Sequence, residues 1–227
     1  MSDHASFSPA SKGRLTHYDL GRFPSESLFD RLGRAVCQAG CLPRKELYEA
    51  WELARRARRL FRGGRVVDLA CGHGLLAHVM LLLDDSSPAA VAVDRDIPPS
   101  AARIQEAMAA AWPRLAGRVT FVGNPLDTFA LGPDDVVVSG HACGGLTDDI
   151  LHRATRARAR VAVLPCCHDL EASDAGGLTG WIDGPLAIDV VRATWLRAQE
   201  YQVWTQTIPG EITPKNRLLL GAPAERF

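Results

Sequence analysis

From Arg65 onward the chain alternates short apolar runs with longer stretches of helical spacing, and this alternation predicts its architecture. Strands are predicted near residues 65–69, 89–94, 118–122, 134–139 and 160–165, with helices near 75–83, 99–112 and 145–157 between them. Leu75 to Leu83 is apolar on nearly every face, so that helix is expected to lie buried against the sheet. Pro98-Pro99 and Pro113 bracket the next one. After Gly184-Pro185 a last helix runs to about Ala198, and strands near 201–208 and 216–221 follow with no helix between them. That ending predicts an antiparallel hairpin closing an otherwise parallel α/β sheet. Upstream, Leu28, Phe29, Leu32 and Val36 mark a helix over 25–39, and a second follows Pro43 with Leu47, Trp51, Leu53, Ala54 and Ala57 on its apolar face. The chain thus divides into an arm (1–24), a helical N-terminal extension (25–62) and a sheet domain (63–227). The arm is read as flexible or substrate-covering, or simply as a poorly ordered terminus.

The first strand ends in Asp68 and breaks into Leu69-Ala70-Cys71-Gly72-His73-Gly74; the second ends in Asp94. In an α/β sheet this sets a ligand-binding loop and two carboxylates at the carboxyl ends of neighbouring strands. Gly72 and Gly74 remove Cβ atoms where the backbone turns sharply and approaches a ligand. Asp94 suits the hydroxyls of a ribose, and Asp68 the cationic amino group of a methionine moiety, directly or through water. The expected cofactor is therefore S-adenosylmethionine. Gly72-His73-Gly74-Leu75-Leu76-Ala77 also fits a dinucleotide fingerprint with Asp94 at the right distance. Asp68 argues against that reading, because a carboxylate there repels a pyrophosphate.

Asp68-x-Ala70-x-Gly72-x-Gly74 resembles motif I of the class I methyltransferases, with Ala70 where that family often has glycine. Further on, His141-Ala142-Cys143-Gly144-Gly145-Leu146-Thr147-Asp148 and Pro165-Cys166-Cys167-His168 follow the fourth and fifth strands. With Ile212-Thr213-Pro214-Lys215-Asn216-Arg217, these turns resemble a subfamily that includes the methyltransferase domain of the glutathione S-transferase C-terminal-domain-containing protein. They are also similar to tRNA acceptor-stem 2′-O-methyltransferases. The resemblance spans about residues 44–221 and implies a Rossmann-like methyltransferase sheet: seven strands, mostly parallel, with an antiparallel last strand. It also implies S-adenosylmethionine bound by Asp68, Ala70, Gly72, Gly74 and Asp94. Asn124, where the family often carries aspartate, sits where the adenine edge is read.

The two polar turns are expected to form the acceptor wall from Cys143, Gly144, Thr147, Asp148, Cys166 and Cys167. His141 is the first candidate for a general base, since imidazole titrates near operating pH, and His168 the second. His141 is equally readable as a residue that shapes its turn, and His168 more readily so. Thr147 and Asp148 also suit capping of a helix N-terminus. Metal ligation is not expected, because adjacent Cys166-Cys167 and a distant Cys143 lack the spacing of structural zinc sites. Cys37 and Cys41 read as packing residues.

Lys+Arg and Asp+Glu both number 26, which excludes a strong whole-molecule field for nucleic acid. A local patch remains, Arg55-Arg56-Ala57-Arg58-Arg59-Leu60-Phe61-Arg62, read as a solvated face or an RNA contact. No apolar run reaches the roughly 20 residues needed to span a bilayer. Six cysteines without a regular framework suggest reduced thiols and a cytoplasmic setting. The acceptor is open among RNA, protein and small molecule, with RNA slightly ahead on the resemblance and the arginines. The chain has no Asn/Asp-Pro-Pro-Tyr type motif after the fourth strand, which leaves a cofactor-bound interaction module without turnover as the alternative.

Overall fold

The computed structural model describes residues 7–224. Seven strands form one sheet: β1 (Val66–Leu69), β2 (Ala90–Asp94), β3 (Val119–Gly123), β4 (Val136–Ser139), β5 (Arg160–Val163), β6 (Tyr201–Thr207) and β7 (Arg217–Pro223). Their order is β3-β2-β1-β4-β5-β7-β6, parallel throughout except for β7, which runs antiparallel to both β5 and β6. The seven-strand Rossmann-like sheet expected from the sequence is therefore the one observed. The chain winds outward from β1 in one direction to β3 and in the other from β4. The crevice at the carboxyl ends of β1 and β4 is thus the topological switch point where such sheets bind ligands.

The helices are α1 (Leu28–Ala39), α2 (Arg44–Leu60), α3 (Leu75–Leu83), α4 (Ser100–Ala111), α5 (Gly145–Arg156) and α6 (Gly184–Ala198). The period-two alternation of the strands sorts their side chains onto two faces. Val66, Val136, Val138, Ala162, Leu218 and Leu220 pack with α1 to α4 in the larger core. Val67, Leu69, Val137, Val161, Val163 and Leu219 pack with α5 and Leu196 of α6 in the smaller. Asp68 shares the first face, so its carboxylate points toward α3 instead of into the α5 layer.

The expected arm needs correction over its described part, residues 7–24. Leu15 and Phe23 are 0% and 2% exposed. Leu15 N–H donates to Leu42 O, and Arg44 and Lys45 N–H donate to Gly13 O and Ser11 O, which straps the segment across the α1–α2 connection. The ring of Phe23 lies so close to Gly33 that a Cβ there would meet it at 2.3 Å. The segment is rich in Ser, Pro and Gly, yet two large apolar side chains anchor it. Residues 1–6 of that predicted arm lie outside the described residues.

Candidate cofactor and acceptor site

The loop after β1 is shaped by three positive φ angles, at Ala70 (58°), Gly72 (50°) and Gly74 (72°). Alanine in that region is strained by roughly 1–2 kcal/mol, which explains why glycine is the easier residue at position 70. The two glycines differ in purpose. A Cβ on Gly74 would meet the Phe121 ring at 2.5 Å, whereas a Cβ on Gly72 would meet nothing within 4 Å. Gly74 therefore serves packing, and Gly72 is where the loop leaves room for a ligand. Asp94 Oδ2 accepts a hydrogen bond from Gly72 N–H at 2.9 Å, tying the end of β2 to this loop.

Asp68 is 1% exposed. One of its oxygens accepts Ala77 N–H at 3.2 Å, capping α3 in place of the N-cap Gly74, which has no side chain to do so. Burial pushes its carboxyl up to about 8; the Ala77 N–H pulls it down in part, and the nearby charge of Asp94 adds to the rise. Asp68 lines a cavity of about 30 Å³ with Glu46, Glu49, Cys71, His73 and His141. That volume admits one small group, such as an ammonium, and no ring. Glu46 is pushed up to about 7, by burial first and then by Glu49. Glu49 is also raised by burial, although Lys45 at 3.2 Å and neighbouring Thr213 favour its charge. No hydrogen bond of standard geometry reaches Glu49 Oε2 among the described residues. Two buried carboxyls, Asp68 and Glu49, and half-buried Glu46 meet at this one small cavity, where a cation favours their ionised forms. The glycine loop, Asp94 and this acidic end together fit a ribose and a methionine amino group.

The acceptor side is built where β4 and β5 end. Cys143 and Cys167 form a parallel bridge and Gly144 N–H donates to Cys167 O, so the two turns continue the sheet's pairing. His141 lines the mouth of the acidic cavity while keeping an exposed face. Crowding there, with Lys45 and His73 adding like charge, holds its imidazole below the usual range. His168 Nε2 lies 2.8 Å from Asp189 Oδ1, and Asp189 Oδ2 also accepts Arg217 Nε–H at 2.6 Å. Burial raises the Cys166 thiol; a hydrogen bond with Cys143 lowers Cys167, assisted by Lys215. A larger cavity of about 420 Å³ lies between α6 and the β6–β7 hairpin. Its lining includes none of Asp68, Gly72, Gly74 and Asp94.

A family model described as a methyltransferase domain matches residues 50–173, more than half of the chain. The chain belongs to this family of methyltransferase domains. S-adenosylmethionine is the cofactor such a domain binds. Among solved structures, an O-methyltransferase family protein from Burkholderia thailandensis is 17% identical with a TM-score of 0.54. That match covers 95% of this chain and 65% of the other, so the chain spans about two thirds of that protein's length. The ribosomal protein L11 methylase from Lactobacillus delbrueckii subsp. bulgaricus is 14% identical, with a TM-score of 0.52 over 76% of this chain and 77% of that one. The S-adenosylmethionine-dependent methyltransferase SibL is 19% identical, with a TM-score of 0.53 over 98% and 72%. At these identities the likeness is one of fold. No curated protein matches the sequence.

Within this methyltransferase domain, several expected site residues do other work. Thr147 is 0% exposed and its hydroxyl donates to Ala142 O at 2.8 Å. Asp148 takes Arg192 Nε–H and Nη2–H at 2.7 and 2.9 Å. Among the described residues neither side chain caps a free N–H of α5, and both brace the turn. Asn124 sits exposed at the end of β3, its N–H on Asp94 O, and no side-chain hydrogen bond fixes it among the described residues. The arginine run divides between paired and exposed side chains. Arg58 is buried against Asp84, Met80 O and Ser87; Arg55 and Arg56 pair with Glu52; Arg62 reaches Leu83 O and Asp84. Arg58 and Arg62 tie this end of the chain to α3 and the loop after it, Arg55 and Arg56 pair within α2, and Arg59 and Arg62 are exposed. Glu46 and Glu49 were not anticipated. Their one signal was two acids on the inner side of a helix whose other face carries charge too.

Proposed function

We propose that this domain transfers a methyl group from S-adenosylmethionine to an acceptor presented at the ends of β4 and β5. The observation that carries the reading is the junction of Asp94, open Gly72 and the Asp68–Glu49 cavity in one crevice. When bound, the cofactor supplies an electrophilic methyl on a sulfonium. Asp94 binds the ribose hydroxyls with the oxygen that Gly72 leaves unused. Asp68 and Glu49 hold the ammonium, and burial keeps water from competing for it. Asn124 flanks the adenine. Cys143, Gly144, Cys166 and Cys167 line the acceptor side, where His141 takes the acceptor's proton at an imidazole nitrogen. His168, held by Asp189, positions the second turn. The His141 and Cys166 turns support membership of the subfamily that shares them.

RNA remains an acceptor class chiefly on the strength of that resemblance, since Arg55, Arg56 and Arg58 are paired within the fold while Arg59 and Arg62 are exposed. The inert-module alternative rests on the missing Asn/Asp-Pro-Pro-Tyr type motif. Calorimetric titration with S-adenosylhomocysteine tests the cofactor site. We expect micromolar affinity, lost in Asp94→Ala, and no response to NADH. Binding of NADH in place of the nucleoside would return the dinucleotide reading. For the base, His141→Ala should abolish label transfer from methyl-labelled cofactor into extract fractions while cofactor affinity stays within about twofold, because a base acts on the transition state. Undiminished transfer by that variant would take His141 out of the mechanism.

A further inference from the structure

The three thiols at the β4 and β5 ends converge more closely than packing alone requires. Cys143 Sγ and Cys166 Sγ are 2.9 Å apart, and one sulfur from each of Cys143, Cys166 and Cys167 lies within 4.8 Å of the other two. A zinc ion with Zn–S bonds of about 2.3 Å and tetrahedral angles spaces its sulfurs about 3.8 Å apart, inside that range. We propose that Cys143, Cys166 and Cys167 form a three-thiolate site for a thiophilic divalent cation, with Zn²⁺ the fitting ion, at the acceptor edge of the domain. This inference does not depend on the methyl-transfer reading.

The spacing objection disappears in three dimensions. Adjacent Cys166 and Cys167 do not project together in an extended strand, but here they lie in a turn past the end of β5. The Cys143–Cys167 bridge brings the other turn into register. Gly144, at φ 57° and ψ −132°, turns the chain immediately after the first ligand, in a conformation that favours glycine.

Charge is balanced locally. Three thiolates and one Zn²⁺ leave a single negative charge, and Lys215 Nζ stands 3.5 Å from Cys167 Sγ. An outer layer holds both turns in place, as metal sites require. Arg192 Nη2–H donates to Gly144 O at 3.2 Å while the same guanidinium grips Asp148. Asp189 fixes His168 at 2.8 Å and Arg217 at 2.6 Å. Among the described residues no fourth protein ligand joins the three sulfurs within the same distance. Three protein ligands with an open position is the pattern of sites that bind an external donor. Cys143 is exposed, so that position faces solvent. A disulfide is the competing outcome. It would need an oxidant and would leave one thiol over; it would close the 2.9 Å pair to about 2.05 Å, where a shared zinc opens it to about 3.8 Å.

The test uses the full chain purified under reducing conditions. Elemental analysis should find one zinc per chain. Co²⁺ added to the chelator-treated protein should give thiolate-to-cobalt charge-transfer absorption and tetrahedral visible bands. Cys143→Ser, Cys166→Ser and Cys167→Ser should each weaken Zn²⁺ binding by at least the roughly 10–100-fold that even outer-layer changes cost. Cys143 is exposed, so its variant tests the site with the fold intact, and circular dichroism verifies this. Absence of zinc together with no charge-transfer band on Co²⁺ addition would overturn the site. So would a Cys143–Cys166 disulfide found by mass spectrometry in protein purified in parallel without reductant. S-adenosylhomocysteine titration of the same samples separates the two readings: zinc held without nucleoside binding would count against methyl transfer and leave the metal site standing.

Discussion

At the residue scale, the unusual groups are the acids withdrawn from solvent beside the proposed cofactor crevice. Asp68 is raised to about 8 and Glu46 to about 7, both chiefly by burial. Between the unfolded carboxylate value near 3.8 and about 8, the folded protein therefore holds a proton at Asp68 that the unfolded chain has released. Stability then falls as pH rises through this window. His78, buried and lowered to about 4, slopes the other way below its usual 6.5, so the clean interval is about 6.5 to 8. Denaturant unfolding without ligand should show stability falling across that interval, with a shallower fall in Asp68→Asn. An ammonium ligand favours the ionised acid, so S-adenosylhomocysteine affinity should rise from pH 6.5 to 8 as protons are released on binding. Equal slopes in wild type and Asp68→Asn would mean that Asp68 does not carry the effect.

At the element scale, α2 both closes the cofactor crevice and fastens the N-terminal extension to the sheet domain. Its basic end is a structural joint. Arg58, 2% exposed, gives Nε–H to Met80 O at 3.0 Å, Nη2–H to Ser87 Oγ at 2.8 Å and faces Asp84 at 3.1 Å. Burial holds its guanidinium down to about 10, and Asp84 supports the charge. Replacing Arg58 by Ala takes the buried cation from Asp84, which keeps Gly63 N–H and Ser86, and should cost about 3–5 kcal/mol in chemical unfolding. Arg59→Ala, on the exposed side, should stay within roughly 0.5 kcal/mol. Similar losses from both would restore the surface-patch reading. Helical spacing alone predicted α2 itself, since Leu47, Leu53, Ala54 and Ala57 are all buried. It did not separate the inward arginine from its outward neighbour, because charge runs look the same on either side until a buried acid identifies the inner one.

At the scale of the whole molecule, ligand binding and stability are linked, because the crevice exists only when β1, β2, α2 and α3 are assembled. A ligand at about 100 times its Kd adds about 2.7 kcal/mol to the folded state. For a chain of this size that corresponds to a Tm rise of roughly 5–10 °C. S-adenosylhomocysteine should produce this shift, Asp94→Ala should abolish it, and an unmoved Tm would argue against a preformed site.

The sequence by itself determined the elements and their order. Strand and helix limits agree with the predicted ones to within a few residues, because period-two and helical spacings are local properties written along the chain. The glycine loop and its two acids were legible for the same reason: a strand end, a turn and a helix start are contiguous. Tertiary structure alone decided which side chains meet across elements. It buried Leu15 and Phe23 of a segment whose composition suggested an unanchored arm, set Glu46 and Glu49 beside Asp68, and turned Asp148 toward Arg192. It also brought Cys143 to Cys166 and Cys167 across more than 20 residues of chain. Side-chain convergence depends on strand order and register, which sequence periodicity does not encode. Burial and pKa follow from that convergence, so the chemistry of the site becomes readable only after the sheet has been assembled.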